Sequence, residues 1–298
     1  MAFEVKATIA TFGGKLLKLS HQSTSTRTPM AVSVYLPPSA LQTASPPPLP
    51  VLFYLSGLTC TPDNCTEKGF FSAAAAAHGI AVVYPDTSPR GAAIAGEDDS
   101  YDFGSGAGFY VDATAAPWRA HYRMETYVAR ELPGLLFGAA GPIPGLPGVR
   151  FDGARAAITG HSMGGHGALT LYLKYPGQWR SVSAFAPVAN PAACPWGQKA
   201  FAGYFGEDRK DDEWKKHDAT ELVRAGKAPP ELPALIDVGT GDNFYKQGQL
   251  LPENLEAAVK EKGVKGVQVR YHADYDHSYY FISTFAQDHV NHAAKYIL

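Results

Sequence analysis

Gly160-His161-Ser162-Met163-Gly164-Gly165 follows the apolar run Ala156-Ala157-Ile158-Thr159 and opens a helix-like stretch from His166 to Lys174. A Gly-x-Ser-x-Gly pattern between a buried strand and a helix predicts a nucleophile elbow, a turn tight enough to hold its serine at strained backbone angles. Strand and helix then approach so closely that Gly160 and Gly164, two residues either side of Ser162, can hardly carry side chains. The five-residue pattern is weak by itself in a chain with 30 glycines. The strand before it and the helix after it give it meaning, because the mechanics of the turn require both.

Outward from the elbow the same alternation recurs. Continuous apolar runs at Val51 to Leu55, Ile80 to Tyr84, Ala156 to Thr159, Val182 to Ala186 and Leu235 to Val238 have the pattern of strands buried on both faces. Helix-length segments fill the gaps: Phe70 to His78, Tyr122 to Phe137, His166 to Tyr175, Pro252 to Lys262 and Ser278 to Ala294. This order predicts an α/β fold with a mostly parallel central sheet flanked by helices on both faces. Lys15 to Ser20 and residues 30 to 36 have no helix between them and are expected to pair antiparallel at one edge. The proline-rich segment Ser45 to Pro50 is too short to separate domains, so residues 1–298 are read as a single domain. Gly104-Ser105-Gly106-Ala107-Gly108 matches neither phosphate-binding fingerprint and is read as a shaped loop.

Bulk composition narrows the function classes. The formal net charge of -2 gives no electrostatic reason to expect nucleic acid or an anionic membrane as partner, and small or neutral partners are expected. Three cysteines, Cys60, Cys65 and Cys194, are an odd number without scaffold spacing and suit a reducing compartment. Two thiols at Cys60 and Cys65 complete no zinc shell, so no metal is expected. The first twenty residues lack a basic-then-apolar signal pattern, no apolar run approaches the roughly 20 residues of a membrane span, and the C-terminal Lys295-Tyr296-Ile297-Leu298 is not a peroxisomal address. A cytoplasmic location is the expectation.

A serine hydroxyl is a poor nucleophile near neutral pH, so Ser162 needs a base within hydrogen-bond reach and an acid that fixes the tautomer of that base. On this fold they follow in the order serine, acid, histidine. Two carboxylates are available after a late strand. Asp237 falls inside the apolar pattern Leu235 to Val238, whereas Asp242 lies beyond it among turn formers, at the carboxyl end where open sheets bind ligands, and is the better candidate. Of the ten histidines, His21, His78 and His121 precede the serine, His161 and His166 flank it too closely, and His289 and His292 fall in the last helix pattern. Packing or surface roles suit all of these. His272 belongs to an alternating strand from Val267, whereas His277 sits in the loop before the last helix and is read as the base. A single histidine is most simply a satisfied ring; the ordered set of three argues otherwise here. The attacked carbonyl oxygen becomes an oxyanion, which pre-aimed N–H groups stabilise by about 3 kcal/mol apiece. The Met163 amide, directly after the nucleophile, is one expected donor, and the Leu58 amide, in the loop after Val51 to Leu55, is the other. The plain alternative for the latter is an ordinary turn.

The segments Leu55 to Asn64, Asp86 to Gly91, Gly106 to Tyr110, Gly160 to Gly165, Pro195 to Phe201 and Asp276 to Phe281 together resemble the S-formylglutathione hydrolase (esterase D) family, from about Leu16 to the C-terminus. The resemblance implies an α/β-hydrolase fold, cytosolic hydrolysis of S-formylglutathione to glutathione and formate in formaldehyde detoxification, no cofactor, and a homodimer. It assigns Ser162, Asp242 and His277 the roles just derived and places Leu58 and Met163 at the oxyanion. Cys60 resembles the family's thiol near the nucleophile, and Trp196 the aromatic beside the acyl pocket; Cys65 departs from the family pattern. Arg90, Lys199 and Lys246 are candidates for the glutathione carboxylates, with solvated surface charge the plainer reading of each. Rival readings are a general short-chain carboxylesterase, a non-catalytic binding protein on the same fold, and an acyltransferase.

Overall fold

The computed structural model describes residues 3–138, 141–210 and 212–298. One nine-stranded sheet runs through them in the order β1-β2-β3-β5-β4-β6-β7-β8-β9. The strands are β1 (Glu4–Thr11), β2 (Gly14–Gln22), β3 (Pro29–Leu36), β4 (Leu49–Leu55), β5 (Ala81–Pro85), β6 (Phe151–His161), β7 (Val182–Phe185), β8 (Glu231–Gly239) and β9 (Lys265–His272). From β5 through β9 every pairing is parallel. The first three strands add to the β5 edge as an antiparallel meander.

Every residue of β4, β5 and β7 is buried. Successive strand residues face opposite sides, so burial at every position requires cover on both faces. The packed helices form two groups. Ala219–Arg224 contacts both Met163–Lys174 and Pro252–Lys262, while Pro62–Lys68, Phe71–His78 and the C-terminal helix Tyr279–Ile297 contact one another. Among the described residues no helix is long and apolar enough to cross a membrane.

The expected antiparallel pair is present as β2 and β3, but β1 lies outside it. Its alternation is faint because most of its residues are exposed or half-buried. It is joined to β2 by Phe12 and Gly13, both at positive φ (44° and 70°), a tight hairpin turn without the usual Asn-Gly signal. The expected helix from Tyr122 runs from Met124 and is continuous to Phe137, with a π turn at Tyr127–Glu131. Pro133 has no N–H for the Ala129 carbonyl, which instead accepts from the Gln178 side chain at 2.9 Å. A helix absent from the sequence reading, Pro195–Phe205, carries Trp196. Its glycines mask it: Gly197 lies so close to the preceding turn that a Cβ would fall 2.1 Å from the Pro191 carbonyl oxygen.

Candidate active site

Ser162 sits at φ 56° and ψ -121° between β6 and the helix Met163–Lys174. Such an angle is costly for a residue with a Cβ and persists only where its surroundings enforce it. They do so through the flanking glycines. A Cβ on Gly160 would lie 2.3 Å from the Gly164 carbonyl oxygen, and one on Gly164 would lie 2.0 Å from that of Leu55. The Ser162 amide donates to the Phe185 carbonyl at 2.9 Å, which ties the turn to β7.

The acid and the base come from two loops that nest together. A Cβ on Gly239 would fall 2.2 Å from the Tyr275 carbonyl oxygen, and one on Gly241 would fall 2.4 Å from that of Asp274, so the loop after β8 can lie directly on the loop after β9. Asp242 caps the short helix Asn243–Lys246; its Oδ1 accepts the Phe244 amide at 2.7 Å and the Tyr245 amide at 3.4 Å. Its Oδ2 lies 2.5 Å from His277 Nδ1. A carboxylate accepts, so Nδ1 carries the proton and Nε2 is left with its lone pair, the tautomer a general base requires. Phe244 stacks edge-on against the His277 ring at 4.9 Å. Asp237, the other carboxylate, is fully buried in β8 and held by Arg270 through two 2.6 Å contacts and by His289 at 3.2 Å. That pairing keeps it ionised and away from the loops.

Ser162 and His277 line the same cleft, about 220 Å³, together with Leu58, Thr59, Tyr101, His161, Trp196 and Phe244. A larger groove of about 570 Å³ lies beside Phe70 and Tyr280, but Ser162 and His277 do not line it. Size alone would choose that groove; convergence of the nucleophile and base chooses the smaller cleft. Leu58 lies in a turn whose neighbouring amides are engaged: Gly57 with His161 Nε2 at 3.1 Å, Thr59 with the Gly106 carbonyl at 2.9 Å and Cys60 with the Gly57 carbonyl at 3.2 Å. Met163 opens its helix, where first-turn amides have no partner within the helix. The glycine-rich loop read as shaped is shaped against this turn, since a Cβ on Gly106 would meet Thr59 Cα at 2.9 Å.

The chain is similar to known esterases. The Esterase family model matches residues 23–292. The chain is 51% identical over 286 residues to the mouse S-formylglutathione hydrolase, covering 96% of this chain and 95% of the relative. It is 46% identical over 295 residues to that of Paracoccus denitrificans, covering 99% and 98%. The solved structure of an S-formylglutathione hydrolase from Agrobacterium tumefaciens superposes with a TM-score of 0.89 at 43% identity, covering 100% of both chains. The chain belongs to the S-formylglutathione hydrolase family.

The residues expected at the family's substrate pocket divide. Trp196 lines the cleft, its Nε1 donating to the Tyr101 hydroxyl at 3.2 Å and its ring packing on Phe244 at 4.6 Å. Cys60 lies behind the wall, its Sγ 4.0 Å from His161 Nε2 and 3.9 Å from the Tyr279 hydroxyl, and burial pushes its thiol above the ordinary value. Of the three cations considered for glutathione, Arg90 is bound to Asp86 and to the Cys60 carbonyl. Lys199 is paired with Asp102 and Ser100, and Lys246 donates to the Gly241 carbonyl at 3.1 Å. Tyr101 and Phe244 were not singled out from sequence; Tyr101 lies in a loop with no regular pattern, and only the Asp242 cap gives Phe244 a place. His161, read as packing or surface, lines the cleft.

Two buried imidazoles make stability depend on pH. Burial, with the neighbouring His277 adding to it, holds His161 down to about 3; burial does the same to His166, also to about 3. Unfolded, both rings protonate near 6.5, so between that pH and about 3 the unfolded chain binds more protons and stability falls as pH falls. Each ring accounts for up to about 5 kcal/mol of this loss. Thermal melts across this range are expected to show Tm declining steadily below pH 6.5; a Tm unchanged down to pH 4 would contradict the neutral, buried state of these rings.

Proposed function

We propose that this protein hydrolyses S-formylglutathione to glutathione and formate, with Ser162 as nucleophile, His277 as general base and acid, and Asp242 as the group that fixes the His277 tautomer. The single observation that carries the chemistry is the His277 Nδ1 to Asp242 Oδ2 contact at 2.5 Å on a ring that shares its cleft with Ser162. The substrate assignment is supported by near-full-length identity to named S-formylglutathione hydrolases.

Ser162 Oγ attacks the thioester carbonyl while His277 Nε2 takes the hydroxyl proton. The oxyanion is stabilised by the Leu58 and Met163 amides. Collapse breaks the carbon–sulfur bond, and the sulfur leaves with the proton held by His277. The same nitrogen then deprotonates a water that attacks the formyl-serine, releasing formate and returning the proton to Ser162. The residues act within one catalytic domain spanning 1–298. Three buried, free cysteines support a cytoplasmic setting for this domain. The family resemblance suggests a homodimer, which light scattering on the purified protein reads directly.

Steady-state comparison of the formyl and acetyl thioesters of glutathione with short aryl esters tests the substrate. The formyl thioester is expected to have the highest kcat/KM. Equal efficiency on acetyl and aryl esters would replace this reading with a general carboxylesterase. Trp196→Ala widens the cleft, and removing one wall of a pocket usually changes discrimination by about 1 to 3 kcal/mol per methylene. The butyryl-to-acetyl ratio of kcat/KM should therefore rise about tenfold or more. A ratio that stays fixed would remove Trp196 from the acyl wall.

A further inference from the structure

His161 adjoins Ser162, and the reaction proposed above gives it no step. Its ring is only 6% exposed and is engaged at both nitrogens. Nε2 accepts the Gly57 amide at 3.1 Å; an amide can only donate, so this nitrogen holds the lone pair and Nδ1 the proton. Nδ1 lies 2.8 Å from the Tyr54 hydroxyl and donates to it. That hydroxyl belongs to a fully buried side chain, as does the Cys65 thiol that influences it electrostatically. The tautomer is therefore set by the Gly57 amide, and the Tyr54 hydroxyl holds the ring in place from the core side. The Cys60 thiol, 4.0 Å from Nε2, offers only a weak S–H donor.

The receiving end of this chain is the turn that carries Leu58. Gly57 lies against the elbow so closely that a Cβ there would be 2.7 Å from His161 Nε2 and 3.0 Å from Ser162 Cβ. The Thr59 and Cys60 amides are bonded to backbone carbonyls of the glycine-rich loop and of the turn, and the Cys60 carbonyl accepts from Thr87 and Arg90, none of which belongs to the elbow. The bond to His161 comes from the elbow itself and so fixes the turn relative to the nucleophile. Protonation of the ring would remove its acceptor, and burial opposes that.

We propose that His161 is a positioning residue of the oxyanion site: a neutral imidazole, oriented by Tyr54, holds the Gly57 amide and so sets the Leu58 N–H against the elbow that carries Ser162. This rests on the reading of Ser162 as the nucleophile. The test measures hydrolysis of 4-nitrophenyl acetate and S-formylglutathione across pH by His161→Leu, His161→Gln and Tyr54→Phe, with Ser162→Ala alongside. His161→Leu lowers kcat about 100-fold with KM within about threefold, as loss of one oxyanion donor does. His161→Gln, whose side-chain oxygen can accept the same amide, recovers at least about tenfold of that loss. Tyr54→Phe leaves the Nδ1 proton without an acceptor and removes the bond that orients the ring toward Gly57, and lowers kcat about three- to tenfold. The limbs of the pH profile stay where they are in the wild type.

Wild-type kcat in His161→Leu, a glutamine variant no better than the leucine one, a loss confined to KM, or a displaced acidic limb would each overturn the proposal. Circular dichroism and melting identify a variant that fails to fold. Should His161→Leu do so, Tyr54→Phe decides, since undiminished kcat there overturns the positioning role. Turnover persisting in Ser162→Ala would sink the nucleophile itself, whatever the His161 variants do, so the two failures are separable.

Discussion

Ser162→Ala is expected to lower kcat for S-formylglutathione by about a millionfold, the scale seen when a triad nucleophile is removed. No neighbouring hydroxyl at the elbow can replace it, because the turn presents a single residue at the strained position, φ 56°. Removing one oxygen opens little space and leaves the Cβ and the backbone conformation in place, so Tm should stay within about 2 °C of the wild type. Residual activity should reflect only binding and the oxyanion donors, about a thousandfold over water. Single-turnover measurements with purified variant and excess enzyme give the check. Turnover within tenfold of the wild type would end the serine mechanism.

Asp242→Asn should cost about ten-thousandfold in kcat with nearly native folding. The direction follows from the cap geometry. Oδ1 of Asp242 accepts the Phe244 and Tyr245 amides, so an asparagine would turn its oxygen to that side and its NH2 toward His277. A donor facing Nδ1 forces the proton onto Nε2, which can then no longer take the hydroxyl proton from Ser162. Because the fault is the wrong tautomer rather than an altered fold, the melting curve should change little while kcat collapses. An activity loss smaller than tenfold would show that the His277 tautomer is set by something other than Asp242.

Much of the architecture was legible because parallel strands buried on both faces read as unbroken apolar runs. Val51 to Leu55, Ile80 to Tyr84 and Val182 to Ala186 each coincide with a strand to within about two residues. β1 escaped notice because an exposed edge strand needs no apolar face, and Pro195–Phe205 because Gly197 and Gly203 dilute its pattern. At the candidate site, chain order and strand ends single out Ser162, Asp242 and His277, and these three side chains are gathered at one end of the sheet. Cys60 is different. The family resemblance suggests a residue near the nucleophile, but the turn at Gly57 to Cys60 directs it behind His161.

The sequence by itself determined which residues can do chemistry and in what order they occur, because strand periodicity and the glycine spacing around Ser162 are local properties of the chain. It also determined the parallel sheet, since buried strands separated by helix-length segments leave few other solutions. Tertiary structure decided what each loop delivers. Gly239 and Gly241 permit two loops more than thirty residues apart to lie on one another, which is what brings Asp242 to His277. It likewise decided that Lys199 is committed to Asp102, and that His161 accepts from Gly57. Hydrogen bonds between residues about a hundred positions apart leave no periodic trace, so only the folded chain could reveal them.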